Sequence, residues 1–228
     1  MKKILTGLAL SAAITTAQAA EFSATVDLTN DYRFRGISQS AGDAVLQGSL
    51  DVAFDNGIYA GVWGSKVDFE DDADFEVDYY AGYWHEINDD LSFDISYSYY
   101  TYPGYDTDAD YGEIMLGLYY GDLALTYAHA NDFFNTGETG QYIAVDYSIA
   151  MNDAVSVDLH AGHSFGDYWN GTTDINEYED YSVGLSGSVA DFDLSVAYLL
   201  NSVDSGDKTT TGAYRNDNTV LLTISRTF

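Results

Sequence analysis

Phe22-Ser-Ala-Thr-Val-Asp-Leu-Thr-Asn-Asp-Tyr-Arg-Phe-Arg35 is the stretch on which the fold turns. Its even positions read Phe, Ala, Val, Leu, Asn, Tyr and Phe, and its odd positions read Ser, Thr, Asp, Thr, Asp, Arg and Arg. Side chains alternate across a strand, so the pattern predicts one apolar and one polar face. A run from 22 to 34 is far longer than the roughly five or six residues of an average globular strand.

The same period recurs along the chain. Strands are predicted over 22–34, 44–54, 58–67, 75–84, 91–102, 111–120, 123–130, 141–150, 155–165, 181–189, 192–200 and 218–228. Each is near the roughly 9–11 residues that a tilted strand needs to cross a bilayer. In the third strand, Tyr59, Trp63 and Val67 are read as the apolar face. The polar faces carry Ser, Thr, Asp and Gly, which a dry sandwich core would not accept. Asn56-Gly57 marks a tight hairpin, because both residues tolerate positive φ. Short connections alternate with long ones, the longest being 166–180 and 201–217. Short turns on one side and long loops on the other is the plan of an outer-membrane barrel. The expectation is therefore an all-β fold, an antiparallel up-and-down transmembrane β-barrel of about 12 strands with both termini in the periplasm. Closure has a direct cause, since in hydrocarbon every backbone polar group must find an internal partner. Tyr32, Tyr59, Tyr79, Tyr83, Tyr99, Tyr120, Tyr147, Tyr181 and Tyr198 are read as interfacial girdles.

Composition narrows the function. The chain has 228 residues, no Cys, 37 acids against 8 Lys and Arg, and a net charge of -29. Thiol chemistry and Cys-ligated metal are excluded. A phosphate backbone would be repelled, so nucleic acid is no partner. At 46% hydrophobic and 15% aromatic, the chain has too much surface to bury for a disordered acidic polymer. Met1-Lys2-Lys3, an apolar stretch over Ile4–Ile14 and Ala17-Gln18-Ala19 read as a signal peptide over 1–19, leaving a barrel domain over 20–228. Cleavage removes Lys2 and Lys3 and takes the charge from -29 to -31. The chain ends on Phe228, a terminal aromatic of the kind that barrel chains present to their assembly machinery.

Leu28–Gln39 (LTNDYRFRGISQ), Leu46-Gln47-Gly48 and Tyr59–Ser65 (YAGVWGS) resemble the proteobacterial TorF-type porin family. The resemblance is specific over about 22–69 and rests further on upon length, strand number and the terminal Phe. It implies an outer-membrane barrel of a Gram-negative bacterium with a proposed pore role. It carries over no catalytic residue and names no solute.

By strand parity the polar side chains line a lumen. Arg33, Arg35, Lys66, Asp68, Glu76, Asp78 and Glu113 fall toward the loop side and are the expected constriction. Asp27, Asp51, Asp94, Asp146, Asp158 and Asp193 are the expected lumen acids, and their excess predicts cation preference. Eight-stranded barrels are filled by side chains and sixteen-stranded ones leave a channel. Twelve strands lie between, and a narrow pore is preferred to a lumen filled by ion pairs. The six long connections hold 18 acids and two bases, Lys208 and Arg215. They are read as a solvated surface that meets lipopolysaccharide, with divalent cations as candidate partners. Asp106, Asp108 and Asp110 copy the start of a calcium loop, but Tyr111 and Gly117 stand where it needs Gly and Glu, so no metal site is expected. His163-Ser164 is the one candidate for lipid hydrolysis. Neighbouring side chains point to opposite faces of a strand, so the two cannot pair, and neither an enzyme nor a cofactor is expected. The alternatives to a porin are a non-conducting surface barrel with acidic loops and, behind it, a lipid-modifying enzyme.

Overall fold

The computed structural model describes residues 20–170 and 175–228. The expected signal segment with its cleavage after Ala19, and residues 171–174 of the fifth long loop, lie outside the described residues. Among the described residues fourteen strands run along the chain. β1 is Glu21–Thr29, followed by a small pair, β2 (Arg33–Phe34) and β3 (Ile37–Ser38). Then come β4 (Val45–Ala53), β5 (Ile58–Lys66), β6 (Phe75–Glu86), β7 (Leu91–Thr101), β8 (Tyr111–Tyr120), β9 (Leu123–Ala130) and β10 (Gly140–Ala150). β11 (Val155–Phe165), β12 (Tyr178–Val189), β13 (Phe192–Asn201) and β14 (Thr219–Thr227) complete the set.

β1 and β4–β14 form a closed antiparallel barrel of twelve strands, in which each pairs with its sequence neighbours and β1 meets β14. At the seam Thr25 faces Thr227, and Phe228 continues the ladder by exchanging backbone hydrogen bonds with Ala24. Closure leaves no unpaired edge. The outer wall is apolar, with Phe22, Leu28, Leu50, Leu116, Val183 and Ile224 all exposed. Outward tyrosines lie near both rims. Tyr79, Tyr99, Tyr181 and Tyr198 are on the side of the long loops, and Tyr83, Tyr120 and Tyr147 on the side of the short turns.

Two readings of parity need correction. The first strand does not reach Phe34. It stops at Thr29, and Asn30 stands in for the next step of the ladder. The Asn30 amide donates to the Val220 carbonyl at 2.9 Å, and its side-chain oxygen accepts the Leu222 N–H at 2.7 Å. With those groups satisfied, the chain leaves the wall. Residues 31–43 fold inward, and β2 pairs with β3 there. Arg33, Phe34 and Arg35 therefore sit on this inserted loop rather than on the wall, and Phe34 packs inside the barrel instead of facing lipid. Tyr32 goes with them and packs against Trp63 at 5.3 Å, so it is no girdle residue.

The second correction is β5, whose faces are reversed. Tyr59, Trp63, Ser65 and the following Val67 turn inward, and Ile58, Ala60, Val62 and Gly64 turn outward. Lys66 lies opposite the exposed Phe75, on the outer wall, and is itself exposed. It lines no constriction. The inner face of this strand is aromatic, with Trp63 against Tyr32 of the inserted loop and Tyr59 on Asp94.

Candidate functional site

The inserted loop meets the barrel wall in a packed layer inside the loop end. Ile37, Val67, Phe69, Tyr100, Tyr102, Tyr111, Phe133, Trp169, Tyr178 and Val203 form one buried cluster. Tyr100 and Tyr111 stack at 4.6 Å, and Phe133 meets Tyr111, Tyr168 and Trp169 edge-on or tilted. Arg35 enters this layer. Its Nη2 donates to both oxygens of Glu113, at 2.8 and 2.7 Å, and Glu113 is fully buried. Tyr100 adds a third donor to the same carboxylate at 3.2 Å. The guanidinium lies over Phe34 at 4.6 Å and Tyr142 at 4.5 Å. The Tyr178 hydroxyl donates to the Arg35 carbonyl at 2.8 Å. Burial lowers the Arg35 affinity for its proton, but its neighbours, Glu113 first, together raise it by more, so the guanidinium stays charged.

Backbone shape makes this entry possible. Arg35 has φ 49° and Gly36 φ 82°, both left-handed. A Cβ on Gly36 would stand 2.9 Å from the Asp180 Cβ, so only glycine lets the loop lie against β12.

Arg33 belongs to a different knot. Its Nε donates to Asp31 at 2.6 Å and its Nη2 to Asp217 at 3.1 Å, and its side chain is 1% exposed. Asp31 also accepts the Ser38 and Ser40 hydroxyls at 2.6 and 3.2 Å. Asp217 is held in turn by Arg215 at 2.7 Å. This knot ties the inserted loop to the 201–217 loop.

The seven expected constriction residues therefore divide. Arg35 and Glu113 meet. Arg33 pairs elsewhere, and Lys66 is outside. Asp68 lies past the end of β5, where it accepts the Glu70 N–H at 2.9 Å. Glu76 and Asp78 face inward on β6 and are buried, but no cation reaches them among the described residues. Glu76 Oε2 and Asp78 Oδ1 have no hydrogen-bond partner there. The expected ring of three cations facing carboxylates at one level is thus replaced by two separate Arg-centred clusters. Lys66 is lost to the reversed face of β5, and the two arginines travel with the inserted loop.

The lumen acids do point inward, and most hold hydroxyls. Tyr80 donates to Asp51, Tyr59 to Asp94 at 2.9 Å, Ser148 to Asp158 at 2.7 Å and Ser188 to Asp193. Tyr59 is a lumen residue, not a girdle one. Asp27 faces inward on β1. Asp146 takes part in a network that parity alone did not pick out. His160 sits between Asp146 at 2.7 Å and Asp180 at 2.9 Å, with the Tyr142 hydroxyl 3.0 Å from the ring. A ring facing two carboxylates donates to both only when both nitrogens carry hydrogens. Asp180 had been counted among loop acids, but β12 begins earlier than expected and buries it. The signal in the sequence was the shared parity of Asp158 and His160. His163 turns outward and Ser164 inward, so no Ser–His pair forms there. Among the described residues, no group of three or more His, Asp and Glu side chains gathers to hold a metal.

An apolar outer belt around a closed ladder and a carboxylate-lined interior define a closed twelve-stranded antiparallel β-barrel. Three solved structures share its architecture. One is a membrane protein from work on in-meso crystallization, with a TM-score of 0.57, 10% identity, and 91% of this chain and 83% of that one covered. The KdgM porin gives 0.53 at 10% identity, covering 92% and 98%. The NanC porin gives 0.54 at 11% identity, covering 90% and 98%. No curated protein matches the chain. The chain belongs to the family described as bacterial protein of unknown function, Gcw_chp, whose profile matches residues 13–228.

Proposed function

We propose that this protein is an outer-membrane channel of the TorF type that lets small polar solutes and ions diffuse passively, with preference for cations. The carrying observation is the closed barrel with lipid-compatible side chains outside and a lumen lined by carboxylates. The loop end faces outward and both termini face the periplasm. Phe228, exposed at the seam, serves as the assembly signal. The acidic loops meet lipopolysaccharide, with divalent cations between their carboxylates and its phosphates.

The KdgM porin has been solved with oligogalacturonate. A net charge of -29 would repel such a polyanion, so that ligand is not carried over. Charged rings and a net field select ions by sign, which supports cation preference here. Single-channel recording on folded protein with ion substitution tests the reading. A small conductance whose reversal potential follows the cation gradient is expected. Anion selectivity would remove the cation half of the proposal, and silence from folded protein would remove the channel. The aromatic layer at the loop end favours a second reading, a structural barrel with a filled lumen, and silence would establish it. Lipid hydrolysis has no aligned nucleophile to support it.

A further inference from the structure

The loop end contains a cavity of about 660 Å3. That lies within the roughly 300–1,000 Å3 of small-molecule sites. Its lining has two chemically distinct parts. Phe133, Phe134, Tyr168 and Trp169 form a continuous set of rings from two loops. Lys208, Thr209 and Asn216 form a polar set from the 201–217 loop, with Arg35 and Gln39 contributed by the inserted loop. Tyr214, also in the lining, is 40% exposed and stacks on Phe69 at 4.8 Å.

Charge decides what such a cavity takes. Arg35 is neutralised by Glu113, and Lys208 stands beside Asp207 in the same lining. The site is therefore close to neutral inside a strongly negative molecule. An anion would have to enter against that field, and a cation would meet the Lys208 ammonium in the same lining as the Asp207 carboxylate. Donors do remain. Lys208 uses two of its three hydrogens, on the Asn201 carbonyl and the Asn218 side chain. Among the described residues Arg35 meets Glu113 through Nη2 alone, which leaves Nε and Nη1.

We propose that this cavity is a capture site for a neutral saccharide of one or two pyranose rings. A pyranose has an apolar C–H face that lies on an aromatic ring and an edge of hydroxyls that meets amide, ammonium and guanidinium groups. That two-sidedness is the complement of this lining. The inference deepens the channel reading, placing the solute-recognition step at the mouth, and its binding step needs no open pore.

The test is calorimetric titration of the folded full chain, held in a detergent without a sugar headgroup, against glucose, galactose, maltose and cellobiose. Digalacturonate, adenosine and benzoate serve as the comparison probes. Saturable binding of at least one neutral sugar is expected, weakened roughly tenfold by Tyr214→Ala and by Lys208→Met. Heat-modifiable migration on gels checks that each variant is folded. No saturable heat from any neutral sugar up to about 100 mM would overturn the proposal, given that channel-mouth sites work at weak affinity. Binding only of digalacturonate, adenosine or benzoate would overturn it too, as would sugar binding that both variants leave unchanged. A protein that binds sugar yet carries no current keeps this site and loses the channel. One that conducts but binds no sugar does the reverse.

Discussion

The two halves of the lumen are built from the same residue types and do opposite things with them. At the loop end, tyrosines surround carboxylates in a layer that excludes water. Phe133 and Tyr178 are each 1% exposed and Glu113 is at 0%. At the turn end, Tyr80–Asp51, Tyr59–Asp94 and Ser148–Asp158 are half-buried pairs on the wall. The difference is Arg35. A carboxylate can be taken fully out of water only with a well-placed partner, because desolvation otherwise exceeds the gain. Where the inserted loop delivers a guanidinium, the barrel packs like a protein core. Where none comes, hydroxyls hold the carboxylates and the pairs stay half-buried. The tyrosine rings of the turn end lie over glycines. A Cβ on Gly61 or Gly82 would collide with the ring of Tyr80 or Tyr59, so the rings lie flat against the wall.

The sharpest way to break this contrast is Arg35→Ala. It leaves Glu113 buried with only Tyr100 as a donor and removes the ring contacts to Phe34 and Tyr142. The expected loss is about 3–5 kcal/mol, as for one partner of a buried pair. Urea unfolding followed by heat-modifiable migration measures it. The companion Arg35→Ala with Glu113→Gln recovers a large part, because the uncompensated charge is gone. In the recording experiment the single variant conducts more than the parent, since the inserted loop loses its anchor. A variant as stable and as conducting as the parent would show that Arg35 does not hold the layer.

How far this was legible is seen by comparing β1 with β12. Period-two alternation located every barrel strand, because lipid outside and water or polar groups inside impose opposite demands on successive residues. The inward acids Asp51, Asp94 and Asp158 followed from that parity without further knowledge. Arg33 and Phe34 kept the same parity yet left the wall, because the Asn30 side chain imitates a backbone step and ends the strand without breaking the pattern. β5 failed for a related reason. Its inward face carries Trp63, packed on the inserted loop, and Tyr59, bonded to Asp94, so polarity no longer marks the lumen. His160 was visible as a residue but not as a bridge, since Asp146 and Asp180 arrive from the strands on either side. Pairings across strands depend on register, which alternation does not specify.

Glu76 and Asp78 test the contrast from the other direction. They are buried in the dry half without a cation among the described residues, so they carry the cost that Glu113 avoids. Like charges sharing a buried site oppose each other. Asp78→Asn should therefore raise stability, by about 1 kcal/mol, the scale of one unsatisfied buried polar group. A loss of the size expected for Arg35→Ala would mean that the carboxylate has a partner the side-chain geometry does not supply. At the turn end, Tyr80→Phe removes one hydroxyl from the half-buried Asp51 and should cost about 0.5–1.5 kcal/mol. Equal penalties for Tyr80→Phe and Arg35→Ala would erase the distinction between the halves.

The smallest effect is expected where the dry layer meets solvent, at Asp217. Arg215, first, and then Arg33 hold its carboxyl below the ordinary carboxylate value by hydrogen bonding and charge. A depressed carboxyl contributes stability that is present above its unfolded pKa and is lost as pH falls through the folded one. The tie between the inserted loop and the 201–217 loop should thus be unchanged from neutrality down to roughly pH 4 and loosen below it. Asp217 and Arg215 are both partly exposed, so solvent screens the pair and the loosening stays local. Pepsin, active in that acid range, should cut within 31–43 at a rate that rises as pH falls, while the barrel migrates as folded. Asp217→Asn should make the rate high and nearly independent of pH. A steep pH dependence that survives in Asp217→Asn would show that another group than Asp217 sets the acid sensitivity.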